Sequence, residues 1–232
     1  MSHGPRWSKR AFPALAPLVG ALAGVGVMGN AWQVRTVTVE GVRWFDPRPV
    51  RQALEQALGK PPWATSASAL RERVLTIPWV EDAQVSVDLS GAVRCVVRER
   101  APVAVLCDQN PPQLTDQAGR ILGPATGSEN LVALVGFAPY PEERQVALAL
   151  LPRLAALWGK PVRRCQRLAA RDLAVTFGEE DPLVLLDPQR PEALGWAKTV
   201  LTAWEASGNG ALARLDARVP GRIFCQPREG SS

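Results

Sequence analysis

Between Arg10 and Arg35 the chain runs for 24 residues without a formal charge. A helix over residues 11–31 would be ~32 Å long at about 1.5 Å per residue, against roughly 30 Å of bilayer hydrocarbon. Trp7 and Trp32 bracket the run, where amphipathic rings settle at the two membrane interfaces. Arg6, Lys9 and Arg10 lie on its N-terminal side, so residues 1–10 are expected to be a cytoplasmic tail and residues 11–33 a transmembrane helix. Everything beyond would then be extracytoplasmic. Ala21-Leu22-Ala23 offers the cleavage pattern of a signal peptide. The uncharged run continues well past that site, so a retained anchor is expected.

The formal charge of +5 suggests phosphate binding only until it is divided along the chain. Residues 1–34 hold three cations and no acid, which leaves 24 cations against 22 acids in the remainder. A nearly balanced domain has no electrostatic footprint for nucleic acid. The single histidine, His3, precedes the apolar run. Histidine-dependent nucleophiles and His-rich metal sites are thereby removed from the exported part. No P-loop, G-x-S-x-G or G-x-G-x-x-G is present, and no cofactor or metal is expected. Cys95, Cys107, Cys165 and Cys225 include no C-x-x-C pair. An even count permits two disulfides in three pairings, yet each cysteine also sits among apolar, strand-like residues, where a free thiol packs as a small hydrophobe.

Two kinds of periodicity order the exported part, and together they predict an α+β fold. Val37 and Val39 alternate with Thr36, Thr38 and Glu40 in a half-buried strand. Asp46-Pro47 opens a helix striped by Val50, Leu54, Ala57 and Leu58, and Leu70, Val74 and Leu75 mark a second. Residues 80–89 and then Val93, Cys95 and Val97 alternate as two strands around Ser90-Gly91. Strand, helix, helix, strand, strand makes a compact unit expected over residues 34–101. Residues 102–226 read as a mostly antiparallel β domain with helices on one face. Its first helix covers 142–158, striped by Val146, Leu150, Leu154 and Leu157. Its second starts at Pro191 with Leu194, Ala197, Val200, Leu201 and Trp204. Strands are expected near 102–107, 114–121 (a hairpin), 131–135, 163–169, 173–177, 183–186, 212–219 and 222–226. Residues 227–232 are an expected flexible tail.

Chemistry-bearing clusters are sparse. Glu179-Glu180-Asp181 is the one dense acidic group, and it reads as a solvated turn before Pro182. Arg163, Arg164 and Arg167 read as an exposed strand face. Most of Trp44, Trp63, Trp79, Trp158, Trp196 and Trp204 are expected to pack in the core. The final strand is expected at a sheet edge, with Val219, Ile223 and Phe224 apolar and Arg218 and Arg222 cationic. Such an edge either turns its apolar side chains to the core or accepts a strand from a partner, here one with acidic side chains.

Five short motifs in order resemble one family. Val37-Thr-Val39-Glu40-Gly41 resembles its opening strand. Ile77-Pro78-Trp79-Val80-Glu81-Asp82-Ala83-Gln84-Val85 and Val97-Arg98-Glu99-Arg100-Ala101-Pro102-Val103-Ala104 resemble its "PWV-x-x-A-x-V … V-x-E-R-x-P-V-A" signature. Leu114-Thr115-Asp116-Gln117-Ala118-Gly119-Arg120-Ile121 and Leu215-Asp216-Ala217-Arg218-Val219-Pro220-Gly221-Arg222-Ile223 resemble its two later motifs. The family is the bacterial division family FtsQ, called DivIB in Gram-positive bacteria. The resemblance implies a POTRA domain for the first unit, a family-specific β domain after it, and no enzymatic activity. It implies a divisome scaffold in the cytoplasmic membrane at the septum. Its partners would be FtsB/DivIC-type and FtsL-type coiled-coil proteins, and it would help regulate the septal peptidoglycan synthase complex. By the same resemblance, Arg218, Val219, Arg222, Ile223 and Phe224 form the place where the FtsB-type partner adds a strand. Two other classes are weighed against it. A POTRA-bearing transporter component would need a barrel of eight or more strands, for which the region after residue 101 is too short and too helical. A membrane-tethered cell-wall hydrolase finds one histidine and no convergent acid pair.

Overall fold

The computed structural model describes residues 32–126 and 130–228. The expected cytoplasmic tail, all but the last two residues of the expected membrane span over 11–33, and residues 229–232 lie outside the described residues. Among the described residues no helix is long and apolar enough to cross a membrane. The chain divides into two compact units, the first ending at Glu99 and the second beginning at Arg100.

The first unit runs β1 (Thr36–Glu40), α1 (Arg48–Glu55), a short 3₁₀ turn (Pro62–Ala64), α2 (Ala67–Leu75), β2 (Val80–Val87) and β3 (Ala92–Glu99). This is the expected strand-helix-helix-strand-strand order. The Asp46 carboxylate accepts the Arg48 N–H at 2.9 Å beside Pro47, so the helix opens where the capping residues predict. Ser66 accepts the Ala69 N–H at 3.2 Å and caps α2. The sheet order is β1-β3-β2, with β1 parallel to β3 and β2 antiparallel to it. Val50 and Leu54 of α1 and Leu70 and Val74 of α2 bury against Val93, Cys95 and Val97 of β3 in one core. Apolar spacings of three and four on the helices meet a spacing of two on the strand, so both stripes face the same volume.

The second unit is one nine-stranded sheet: β4 (Ala104–Leu106), β5 (Gln113–Thr115), β6 (Ile121–Pro124), β7 (Val132–Val135), β8 (Arg164–Ala169), β9 (Asp172–Thr176), β10 (Leu183–Leu186), β11 (Leu212–Asp216) and β12 (Phe224–Pro227). Its order is β12-β11-β10-β9-β8-β7-β4-β5-β6. Five of the eight pairings are antiparallel. The other three, β4–β7, β7–β8 and β10–β11, are parallel. The parallel pairs β7–β8 and β10–β11 are bridged by α3 (Pro141–Trp158) and α4 (Ala193–Ala206), so each helix is a crossover connection. The antiparallel run β8-β9-β10 returns β10 to the direction of β7, and both crossovers step toward β12. Two right-handed crossovers stepping the same way from strands of the same direction place their helices on the same face. α3 and α4 do pack against each other, over a core that includes Phe137, Leu148, Leu154, Leu194 and Leu215.

The buried stripe of α3 differs from the expected one. It is Arg144, Ala147, Leu148, Leu151, Leu154 and Trp158, whereas Val146 is exposed and Leu150 and Leu157 are only partly buried. The helix is apolar nearly all round, so spacing alone leaves the choice of face open. On the buried face Arg144 holds its guanidinium among carbonyl oxygens. The tryptophans also need correction. Trp158 is buried and stacks on Phe177 with ring centroids 4.8 Å apart, and Trp204 packs partly against the same core. Trp44, Trp63 and Trp196, however, are exposed. They sit on turns or on a helix flank, where the need to cover a core does not reach them.

A candidate partner-binding edge

β12 is the outermost strand on its side of the sheet and pairs only with β11 among the described strands. The strands around it are shorter than expected. β11 stops at Asp216 rather than at residue 219, and β12 begins at Phe224 rather than at 222. The cause is local. The Asp216 carboxylate accepts the Arg218 N–H at 3.1 Å, which curls the chain out of the ladder. Arg222 then donates its N–H to the Val219 carbonyl at 3.3 Å across Pro220-Gly221.

Register decides which backbone groups the edge offers. Arg228 donates its N–H to the Ala211 carbonyl at 2.8 Å, and Gln226 and Phe224 lie opposite Arg214 and Asp216. Alternation along an antiparallel strand then turns the backbone of 224, 226 and 228 toward β11, and that of Ile223, Cys225 and Pro227 away from the sheet. Cys225 therefore presents an N–H and a C=O outward, while Pro227 presents only a C=O. The side chains alternate the other way. Ile223 and Cys225 pack on the helix-covered core, and Phe224 and Val219 are exposed, 53 % and 43 %.

The five expected site residues thus split into three roles. Val219, Arg222 and Phe224 are surface groups. Ile223 anchors the strand to the core. Arg218 is committed within the unit. Its guanidinium donates to Asp216 at 2.9 and 2.6 Å and to Asp172 at 2.8 Å, and its carbonyl accepts from Arg190. These partners raise the Arg218 pKa, and the guanidinium holds the Asp216 carboxyl below the usual carboxylate range. A depressed carboxyl contributes stability that is complete above its unfolded pKa and is lost as pH falls through its folded one. Arg218→Ala is therefore expected to cost roughly 1 kcal/mol at neutral pH, after screening at this half-exposed site. The difference from the unsubstituted protein should shrink below about pH 4, and denaturant titration at neutral and acid pH measures both.

Part of each remaining charged cluster is held in internal ion pairs. Arg167 donates to Glu143 at 2.7 and 3.1 Å and lies 3.7 Å over the Tyr140 ring. Asp181 accepts from Lys160 at 2.8 and 3.0 Å, and Glu180 lies 3.6 Å from Arg228. The open cleft of about 680 Å³ beside that turn is lined by Lys160, Arg163, Phe177 and the three acids. No group of histidine, cysteine and carboxylate residues among the described residues could hold a metal ion. All four cysteines carry free thiols. Burial pushes the Cys95 and Cys165 thiols up to about 11 and about 12, which keeps them protonated at neutral pH.

The first unit is thus a β-α-α-β-β arrangement on a three-stranded sheet, and the second is an open sheet whose outermost strand is flanked by exposed apolar side chains. Residues 33–100 match the family described as "POTRA domain, FtsQ-type". Over 142 residues the chain is 30 % identical to the "Cell division protein FtsQ" of Chloroflexus aggregans (strain MD-66 / DSM 9485), a stretch of 58 % of this chain and 51 % of that protein. The chain spans about half the length of the curated relative it matches. Its first unit matches the FtsQ type of POTRA domain, and both matches agree with the resemblance to the FtsQ/DivIB family read from the five motifs.

Proposed function

We propose that the chain is a non-enzymatic scaffold of bacterial cell division. Residues 11–33 anchor it in the cytoplasmic membrane, and both folded units are extracytoplasmic at the septum. Its β12 edge takes a strand from an FtsB/DivIC-type coiled-coil protein that also carries an FtsL-type subunit. Through that complex it helps regulate septal peptidoglycan synthesis. The observation that carries the reading is the outward backbone of β12, flanked by exposed Phe224 and Val219, in a chain similar to a division protein. Main-chain bonding to an edge supplies affinity, and the exposed apolar side chains beside it supply selectivity. With Arg218 internally paired, Arg222 is the cation left to meet an acidic partner strand.

Cys225→Pro tests the reading. It deletes the outward N–H at the middle of the edge, and the ladder to β11 does not use that group. Cys225→Ala controls for the lost sulfur packing. Capture of the coiled-coil partner should fall about fivefold to tenfold for the proline variant, the scale of one lost bond at about 1–1.4 kcal/mol. It should be retained for the alanine variant. Undiminished capture by a folded Cys225→Pro protein would show that the partner docks elsewhere.

A further inference from the structure

Two exposed tryptophans meet where the uncharged run enters the first unit. Trp32 is 46 % exposed, Trp63 is 66 % exposed, and their ring centroids are 6.3 Å apart at an interplanar angle of 54°. Trp32 lies near the end of the 24-residue uncharged stretch, three residues before Arg35. Trp63 comes from a loop far along the sequence, and that loop is stitched to the entry segment. Val34 donates its N–H to the Lys60 carbonyl at 2.9 Å, and Gly59 donates to the Val34 carbonyl at 2.9 Å. The loop is stiff as well. It contains Pro61 and a buried Pro62, turns through the 3₁₀ segment Pro62–Ala64, and is closed by the Thr65 hydroxyl on the Pro61 carbonyl at 2.9 Å. A rigid mount that holds a large ring out in solvent leaves an apolar surface uncovered by its own unit.

We infer that Trp63 and Trp32 together form a membrane-docking face, with both indoles seated in the headgroup layer of the bilayer that residues 11–33 span. The occupant follows from the chain itself. Wherever the anchor leaves the hydrocarbon, Trp63 is held one ring's width from Trp32. Indole is the side chain that prefers that layer, with its body apolar and its N–H wet. Exposed Lys60, one turn before Trp63, supplies an ammonium for lipid phosphates. The inference rests on the anchor reading above and adds an orientation to it. The N-terminal end of β1 faces the membrane. Trp44, which follows the other end of β1 and is 68 % exposed, points away from it.

Bromine-dependent quenching of tryptophan emission tests this on the full chain. The chain is reconstituted into phosphatidylcholine–phosphatidylglycerol vesicles, with or without bromine on the acyl chains close to the headgroup. Phenylalanine keeps an interfacial ring but removes the fluorophore, so Trp63→Phe reports position without releasing the face. If Trp7, Trp32 and Trp63 are the quenched rings, Trp63→Phe should lower the bromine-dependent loss of emission by roughly a third, and Trp44→Phe should leave it unchanged. An unchanged loss for Trp63→Phe would overturn the docking face while leaving the anchor in place. An equal drop for Trp44→Phe would overturn the orientation. No quenching of the unsubstituted chain would remove the anchor reading and this inference with it.

Discussion

Gly41→Ala and Gly91→Ala are each expected to open the first unit while the second stays folded. Both glycines have positive φ, +87° and +90°, which a side chain resists. Space is the harder constraint. A Cβ on Gly41 would lie 2.2 Å from the Val97 carbonyl oxygen, and one on Gly91 would lie 2.2 Å from that of Gln33. Backbone rather than a yielding side chain stands in the way at both places. The two sites also clamp the two ends of the parallel β1–β3 pairing. Gly91 accepts the N–H groups of Arg35 and Thr36 at 2.8 and 3.4 Å where β1 begins, and Gly41 follows Glu40 where β1 ends. Displacing either backbone breaks the ladder at that end, so each substitution should cost about 3 kcal/mol, the sum of left-handed strain and forced backbone movement. In a unit this small that is a large share of the total stability. Hydrogen exchange on the full chain in detergent should show β1 and β3 amides losing protection while β8 and β9 keep theirs. Undisturbed protection in β1 would mean that the strand accommodates the methyl group.

These two glycines also mark how far the first unit was legible. Gly41 closes a strand whose alternation was plain, and Gly91 closes a turn between two alternating segments. The packing they permit has no sequence signal, because a close backbone approach looks like any other Gly in a turn. The second unit was legible in its elements more than in their connections. Alternating and helical segments were all visible, yet the strand patterns of β7 and β8 do not themselves say that the two are parallel neighbours. The 18-residue helix α3 between them is long enough to carry the chain back across the sheet and permits that pairing. At the edge, the motif Leu215–Ile223 read as strand-turn-strand. An Asp two residues before an Arg took Asp216 and Arg218 into a mutual pairing instead, which moved both strand ends inward. Charges satisfied by local partners are invisible to hydropathy. That is why Arg218 looked like a partner-facing cation and Arg144 did not look like a core residue.

Arg144→Met is expected to loosen the second unit by about 3 kcal/mol, although methionine has a similar length and is less costly to bury. Arg144 is 6 % exposed, and its guanidinium donates to the carbonyls of Gly119 at 3.0 Å and of Phe137 and Ala138 at 3.4 Å. It does so from the first turn of α3, where the helix dipole disfavours a cation. Desolvation lowers its pKa, but a guanidinium starts so high that it stays charged at any ordinary pH. What offsets these costs is reach. One side chain ties the β5–β6 hairpin at Gly119 to the helix and to the loop leaving β7. A second tie runs from the Gln117 amide to the Leu148 carbonyl at 3.1 Å. Methionine would fill the volume but take the donor from the Gly119 and Ala138 carbonyls, while that of Phe137 keeps the Tyr140 N–H at 3.1 Å, and an unsatisfied buried acceptor costs about 1–3 kcal/mol. Arg144→Lys should recover only part of the loss, since one ammonium cannot reproduce the planar fork. The hairpin should respond first. Hydrogen exchange is expected to rise in β5 and β6 before it rises in β8 to β10, and the denaturant midpoint should fall in the order Arg, Lys, Met. A methionine variant as stable as the unsubstituted protein would mean that water or a neighbouring donor takes over the carbonyls it frees, and that the buried arginine serves something other than the fold.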